Sequence, residues 1–435
     1  MNLRTAAAFG AAFGILGVGS AFATFARVES MGKNTTYIMD DVSIFDNAAN
    51  ANLYSNYLIG GFGAYTDNDM TAGGNKDPQH PTFGGIFAIS FGDDNNPDPK
   101  FTIGGLFGRV NPELAMYLPD YVQTSTKGYV VVPETVTNFD GFLGGTFSSG
   151  DAWGLHIYIA HQDGGDLDES GTYQPNSKAY ASIVQADGGL NVQTSSGTSY
   201  EASFGLARIQ YGPEHHNFFD DGDFTFLGKA RAFFTLEAID GELVPAVSMK
   251  LAQAPGIDDK HAQAGAGINV AMDRGFFWLG LDFIWNQLKA HDWYYDKSVD
   301  NGAWVYDSRN EDDPHWDKRS DIGGKISFGI ERNIWWDWFV IRVGGQKKIT
   351  YTDCNVNSKN SYTDSRYGIC KDDGTFFSTN PLADGSNEDH VGFGFGVNIE
   401  ERLKIDVTVA EDLLFRNPFQ GEGRIFSRLD ATYSF

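Results

Sequence analysis

Along residues 425–435, Ile425, Leu429, Ala431, Tyr433 and Phe435 fall on one face, while Arg428, Asp430, Thr432 and Ser434 fall on the other. A period of two predicts a strand with one apolar and one polar side. The same alternation recurs upstream, at Phe83, Gly85, Phe87, Ile89 and Phe91, then at Phe101, Ile103, Gly105 and Phe107. Strands are expected over 53–65 and 139–147 and at Leu155, Ile157 and Ile159. Turn chemistry separates them: Asp93-Asp94-Asn95-Asn96-Pro97, Ser148-Ser149-Gly150-Asp151, Asp240-Gly241, Asp273-Arg274-Gly275, Glu331-Arg332-Asn333 and Glu400-Glu401-Arg402. Longer segments lie between, at 66–81, 111–138, 161–177, 212–222, 252–261, 290–320, 352–389 and 411–423.

Short connections therefore alternate with long ones, and half-apolar strands recur without a Pro-rich or Ser-rich linker. This predicts an all-β chain forming a single antiparallel transmembrane β-barrel, with lipid-facing and lumen-facing residues alternating. With both ends on one side the strand number is even. About fifteen strands are clear, and one over 178–186, turning at Asp187-Gly188-Gly189, makes sixteen. The expected range is 14–16. Trp335, Trp336 and Trp338, Phe276, Phe277 and Trp278, and Trp293, Tyr294 and Tyr295 are expected at the membrane boundaries. Lys229, Arg231 and Glu237 share one face of 223–239, and Arg342 lies opposite Phe339, Ile341 and Val343, so these charges are expected in the lumen.

Composition agrees with a strand-rich membrane chain. Among 435 residues there are 52 Gly, 34 Phe, 19 Tyr and 9 Trp but only 14 Pro. The net charge of −25 leaves no basic stripe for phosphates, which argues against a nucleic-acid partner. Residues 1–23 read as a signal peptide: Arg4 precedes an apolar run, and Ala21-Phe22-Ala23 fits small-x-small cleavage. No other stretch approaches the ~18–20 apolar residues of a spanning helix. Cys354 and Cys370 are the two cysteines. In an exported chain a disulfide between them is expected, worth ~3 kcal/mol by loop entropy.

The catalytic motifs sought are missing from the sequence: it has no Gly-x-Ser-x-Gly, no His-Glu-x-x-His and no phosphate-binding Gly loop. His156, near Ser148 and Ser149 in sequence, reads as a lumen residue rather than a base. Glu214-His215-His216 with Asp220, Asp221 and Asp223, and the group Asp163, Asp166, Asp168 and Glu169, read as acidic loops. No metal and no cofactor are expected, and the chain is not expected to be an enzyme.

Residues 24–52 do not alternate. They contain Ser30-Met31-Gly32, the pair Asp40-Asp41, and Phe45-Asp46-Asn47-Ala48-Ala49. This segment resembles the amino-terminal region of the FadL-type long-chain fatty-acid transporter superfamily, including its PorV-type members, with Ala48 where that family carries Pro. The resemblance implies that 24–52 is a hatch inside a barrel over 53–435, with Ser30, Gly32, Asp40, Asp41 and Asn47 at hatch positions. It also implies residence in the cell outer membrane and passive transport of hydrophobic or small solutes. The alternatives are a PorV-like barrel that binds surface proteins and a general diffusion porin. The terminal Phe435 with Tyr433 resembles the signal read by the barrel-assembly machinery. Outer-membrane lipid and lipopolysaccharide are the expected surroundings.

Overall fold

In a computed structural model, sixteen strands close into one antiparallel barrel. The structure describes residues 24–63, 81–92, 99–123, 129–163, 166–167, 173–174, 180–212, 224–291, 293–296, 303–307, 316–357, 369–370, 374–376, 389–400, 402–409 and 426–435. The signal-peptide segment, the 214–223 cluster, and Asp168 and Glu169 lie outside these residues. The first barrel strand, Tyr57–Gly63, pairs with the last, Phe426–Ser434, in a register running from Tyr57↔Ser434 to Gly63↔Arg428. Closure leaves no barrel strand with an unpaired edge.

The alternation read from the sequence has a physical consequence in three dimensions. Leu155, Ile157 and Ile159 are exposed on the outer surface, as are Phe204, Leu206, Leu281 and Phe283, while Asp140, His156, Asp282 and Asp430 are buried inside. Such an exterior is a liability in water but is satisfied by hydrocarbon, where only helices and closed barrels can hold all their backbone hydrogen bonds. Trp335, Trp336 and Trp338 are exposed beside the turn at 334–338, where an aromatic belt would sit.

Several boundaries differ from the sequence reading. The first strand begins at Tyr57 rather than 53. Asp187-Gly188-Gly189 is not a turn: it lies inside the continuous strand Tyr180–Gln193, because the neighbouring strand pairs through it without a break. The hairpin instead turns at 194–198. Glu331 and Arg332 belong to strand Trp316–Asn333, and the turn follows at 334–338. Residues 252–261 are no long loop, since Gly241–Ala254 and Ile257–Met272 meet across Pro255-Gly256. Glu237 sits exposed in a short 3-10 turn and not in the lumen. Phe276 and Trp278, two residues apart, point inward with the lumen cluster, so they do not form a girdle.

Among the described residues, the short connections at 147–151, 194–198, 237–240, 273–274 and 334–338 lie on one rim, as do both described chain ends. The other rim carries the long ones. Strands Ile257–Met272, Gly275–His291, Trp316–Asn333 and Phe339–Asn357 run to 16–19 residues, well beyond the ~9–11 needed to span a bilayer. Their extensions support a cap. Ala303–Asp307 pairs antiparallel with Trp293–Asp296 and parallel with Tyr121–Gln123. Beneath this small sheet, Leu114, Tyr117, Tyr158, Ile209, Tyr211 and Trp293 pack into one apolar cluster. Trp293 is thus a core residue of the cap rather than a boundary anchor. Cys354 and Cys370 are joined by a disulfide that holds Ile369 and Cys370 in the same cluster.

Placing a charge at Ile157, between Leu155 and Ile159 on the outer face, tests the membrane orientation. Ile157→Arg is expected to cost about 2–4 kcal/mol in reversible unfolding from lipid vesicles. A cost near zero would remove lipid from that face.

Candidate functional site

Residues 24–52 run through the lumen at the short-turn end, and their local structure follows from three capping residues. Thr24 accepts from the Arg27 amide to start helix Phe25–Ser30. Asp40 accepts from the Val42 and Ser43 amides to start Asp41–Phe45, and Asn47 accepts from the Ala49 amide to start Ala48–Asn52. Short polar side chains at these positions satisfy amides that would otherwise be buried without partners.

The wall is shaped to this backbone. Gly32 has φ +95, a region that glycine enters without strain, and its path runs against Gly345. A methyl group at Gly344 or Gly392 would overlap the backbone of Met31 or Glu29, and one at Gly267 or Gly280 would overlap the Tyr37 ring. Tyr37 in turn packs on Trp278 and donates its hydroxyl to Asp282.

Charge pairing fixes the segment further. Arg27 Nε donates to Glu331 Oε2 at 2.6 Å, Arg342 Nε donates to the same oxygen at 2.5 Å, and Arg342 Nη1 donates to Asp406 Oδ1 at 2.6 Å. Thr24 Oγ1 donates to the other Asp406 oxygen at 2.9 Å. The Ala26 amide donates to Asp430 at 2.6 Å. On the far wall Lys229 Nζ donates to Asp46 at 2.5 Å, and Arg231 donates to the Thr35, Thr36 and Ile38 carbonyls at 2.7–3.2 Å. Asn47 donates to the Leu190 carbonyl and Asn52 to the Trp153 carbonyl, each at 2.9 Å.

The five resemblance positions lie in this one segment. Ser30 Oγ donates to the Arg27 carbonyl at 2.8 Å. Asp40 is also 3.8 Å from Arg27 Nη1. Asp41 is buried and neither of its oxygens receives a hydrogen bond. Burial pushes the Asp40 carboxyl up to about 6, against the pull of Arg27 and Arg231. Burial and then the Asp40 charge hold Asp41 well above the ordinary carboxylate range. Asp46 moves the other way, its burial outweighed by Lys229 and Thr35. At the other terminus, Tyr433 and Phe435 are exposed on the outer face. Sequence reasoning passed over Arg27, Glu331 and Asp406. Glu331 was placed in a turn, and nothing in the one-dimensional pattern joins residues some three hundred positions apart.

Between this segment and the cap lies a cavity of about 480 Å³. Phe25, Phe45 and Asp46 line it from the segment, and Glu113 and Met116 line it from the cap. One wall carries His156, with Nε2 2.9 Å from Asp140 and Nδ1 2.8 Å from Asp187. Arg109 also binds Asp140 and lies 3.9 Å over the Phe45 ring. Ser149 bonds Asp151 in the short turn, so His156 is committed to two carboxylates rather than to a serine. Among the described residues no group of three or more His, Cys, Asp or Glu side chains could hold a metal ion.

No family model and no curated protein matches the chain. Among solved structures, the Pseudomonas putida toluene transporter TodX is 10% identical, with 95% of this chain and 98% of that one covered, at a TM-score of 0.35. The monoaromatic hydrocarbon channel CymD is 10% identical, covering 97% and 98%, at 0.30. The siderophore receptor PirA from Acinetobacter baumannii is 7% identical, covering 87% and 80%, at 0.30. At TM-scores this low the likeness bears on neither family nor function.

Two outcomes are expected for this segment. Glu331→Ala leaves Arg27 and Arg342 buried face to face and is expected to cost about 3–5 kcal/mol in urea unfolding. Adding Arg27→Ala should recover part of that loss, and strict additivity would argue against the shared carboxylate. The pH response follows from the raised acids. Asp40 and Asp41 bind protons more tightly when docked than when released, so docking weakens as pH rises from about 4, the ordinary carboxylate value. That weakening levels off near about 6 for Asp40 and continues higher for Asp41. Hydrogen exchange across 24–52, corrected for intrinsic rates, should therefore quicken as pH rises from about 4 through about 6 and beyond. Asp41→Asn should flatten the rise, and an unchanged profile would clear Asp41 of any part in it.

Proposed function

We propose that this chain is an outer-membrane β-barrel that lets small solutes cross passively, with residues 24–52 as its hatch. The cavity between that segment and the cap carries the reading. Its volume of about 480 Å³ lies within the ~300–1,000 Å³ range of small-molecule pockets, and hatch residues form part of its lining. The closed barrel with an apolar exterior supports membrane residence. The likeness of 24–52 to FadL-type hatches supports gating by that segment.

The cavity favours a small solute with polar groups over a purely hydrophobic one, because Lys229, Arg231, His156, Asp187 and Glu201 all face it. Surface-protein binding in the PorV manner would draw on the long outer connections, which lie largely outside the described residues.

Single-channel recording of the refolded protein in a planar bilayer tests this. The full-length chain is expected to be nearly silent, and deletion of 24–52 is expected to open a steady conductance. Large steady conductance before deletion would sink the hatch and leave a general porin.

A further inference from the structure

Among the described residues that line the cavity, three hold a polar side-chain atom buried without a hydrogen bond. Asp259 Oδ1 and Asn286 Oδ1 are acceptors, and Arg231 Nη2 is a donor. Asp259 and Asn286 are only 3% and 5% exposed. Strand Ile257–Met272 brings Asp259, His261 and Gln263 to the cavity at every second position. On the next strand Asn286 stands opposite His261, and Leu288 stands opposite Asp259. Asp259 and Asn286 are therefore diagonal neighbours across the pair, about 7–8 Å apart.

The second oxygen of Asp259 is engaged by the cap and by the wall. Tyr117 donates its hydroxyl to Oδ2, and Lys250 Nζ lies 3.6 Å from the same atom. Lys250 Nζ also sits 4.9 Å from the centre of the Tyr117 ring and 3.9 Å from Met116 Sδ. Oδ1 of the same carboxylate is left over. Buried polar atoms that a native protein does not pair with its own groups are met by water or by a ligand. Here acceptors and a donor line one cavity, and a hydroxyl serves both kinds with a single uncharged group. A cationic solute would meet Lys250, Lys325 and Lys348 in the same lining, and an anionic one would meet Asp259.

We propose that this wall binds a small neutral polyhydroxy solute, a cyclic polyol or monosaccharide, whose hydroxyls donate to Asp259 Oδ1 and Asn286 Oδ1. The proposal rests on the solute-passage reading and names the class of solute. Phe45 from the hatch and Met116 from the cap give the cavity apolar surface for the ring carbons. A few placed polar groups within such a lining are what orient a small molecule in its pocket.

Isothermal titration of the full-length protein in lauryldimethylamine oxide, a detergent without a sugar headgroup, provides the test. The probe is myo-inositol. Cyclohexanol offers the same ring with a single hydroxyl, and succinate and choline supply the two signs of charge. Binding is expected for myo-inositol and only far weaker binding for the other three. Asn286→Leu removes a buried acceptor that has no partner, so it should hold or raise Tm while weakening myo-inositol about fivefold. Asp259→Asn should weaken it about tenfold, as for loss of a charged hydrogen-bonding partner. Asn398 Oδ1 is likewise buried without a hydrogen bond but does not line the cavity, so Asn398→Leu is the control, expected to bind normally. The proposal is overturned if myo-inositol does not bind, or if cyclohexanol, succinate or choline binds as well. It is also overturned if Asn286→Leu and Asp259→Asn both bind like the parent. Failure of solute passage reads out separately. A barrel that binds myo-inositol but stays silent after deletion of 24–52 loses the transport reading alone. A conducting barrel that binds none of the probes loses only the polyol site.

Discussion

The backbone of the first strand hydrogen-bonds the last, from Tyr57↔Ser434 to Gly63↔Arg428, and the remaining architecture depends on that closure. An open sheet of this length would present two bare edges on an apolar surface, where neither water nor a neighbour could satisfy them. Once the sheet closes, every second side chain is committed to the lumen. The lumen then holds Asp140, Asp282, Arg319, Glu331, Arg342, Asp406 and Asp430, all buried. Buried charges need partners, so the interior has to be filled by something polar and precisely placed.

Residues 24–52 meet that demand. Glu331 is shared by an arginine of the segment and an arginine of the wall, and Asp406 by Thr24 and Arg342. The segment is thus part of the electrostatic structure of the barrel rather than a tail lying in it. Charge pairing of this kind is strong when complete and costly when one member leaves. The unpartnered Asp41 sets the balance in the same place: it is an acid held in a position that favours its neutral form.

The cavity divides by chemistry. On one side His156 and Arg109 are bound into a tight set with Asp140 and Asp187, with the Phe45 ring under the guanidinium. On the other, Lys250 lies near Asp259 and Lys325 near Asp282, and those two carboxylates also accept from Tyr117 and Tyr37. The first set is saturated and reads as structure.

Strand periodicity fixes which side chains share a face, because that depends only on neighbours two residues apart. The apolar exterior at Leu155, Ile157 and Ile159, the inward face of Arg428, Asp430 and Thr432, and an even strand number of 14–16 were therefore legible from the chain alone. Turn chemistry was a weaker guide. Asp187-Gly188-Gly189 looks like a hairpin but continues a strand, with Gly189 making room for Asn47 of the segment. Phe276 and Trp278 look like a boundary girdle but pack on Arg27 and Tyr37. What only the tertiary structure decided is which lumen residues meet: Arg27 with Glu331, Tyr37 with Asp282, Lys325 with Lys348. Those meetings depend on the register of each strand pair and on the path of one non-repeating segment through the closed barrel. Neither leaves a periodic trace in the sequence, because both are set by long-range closure and not by local spacing.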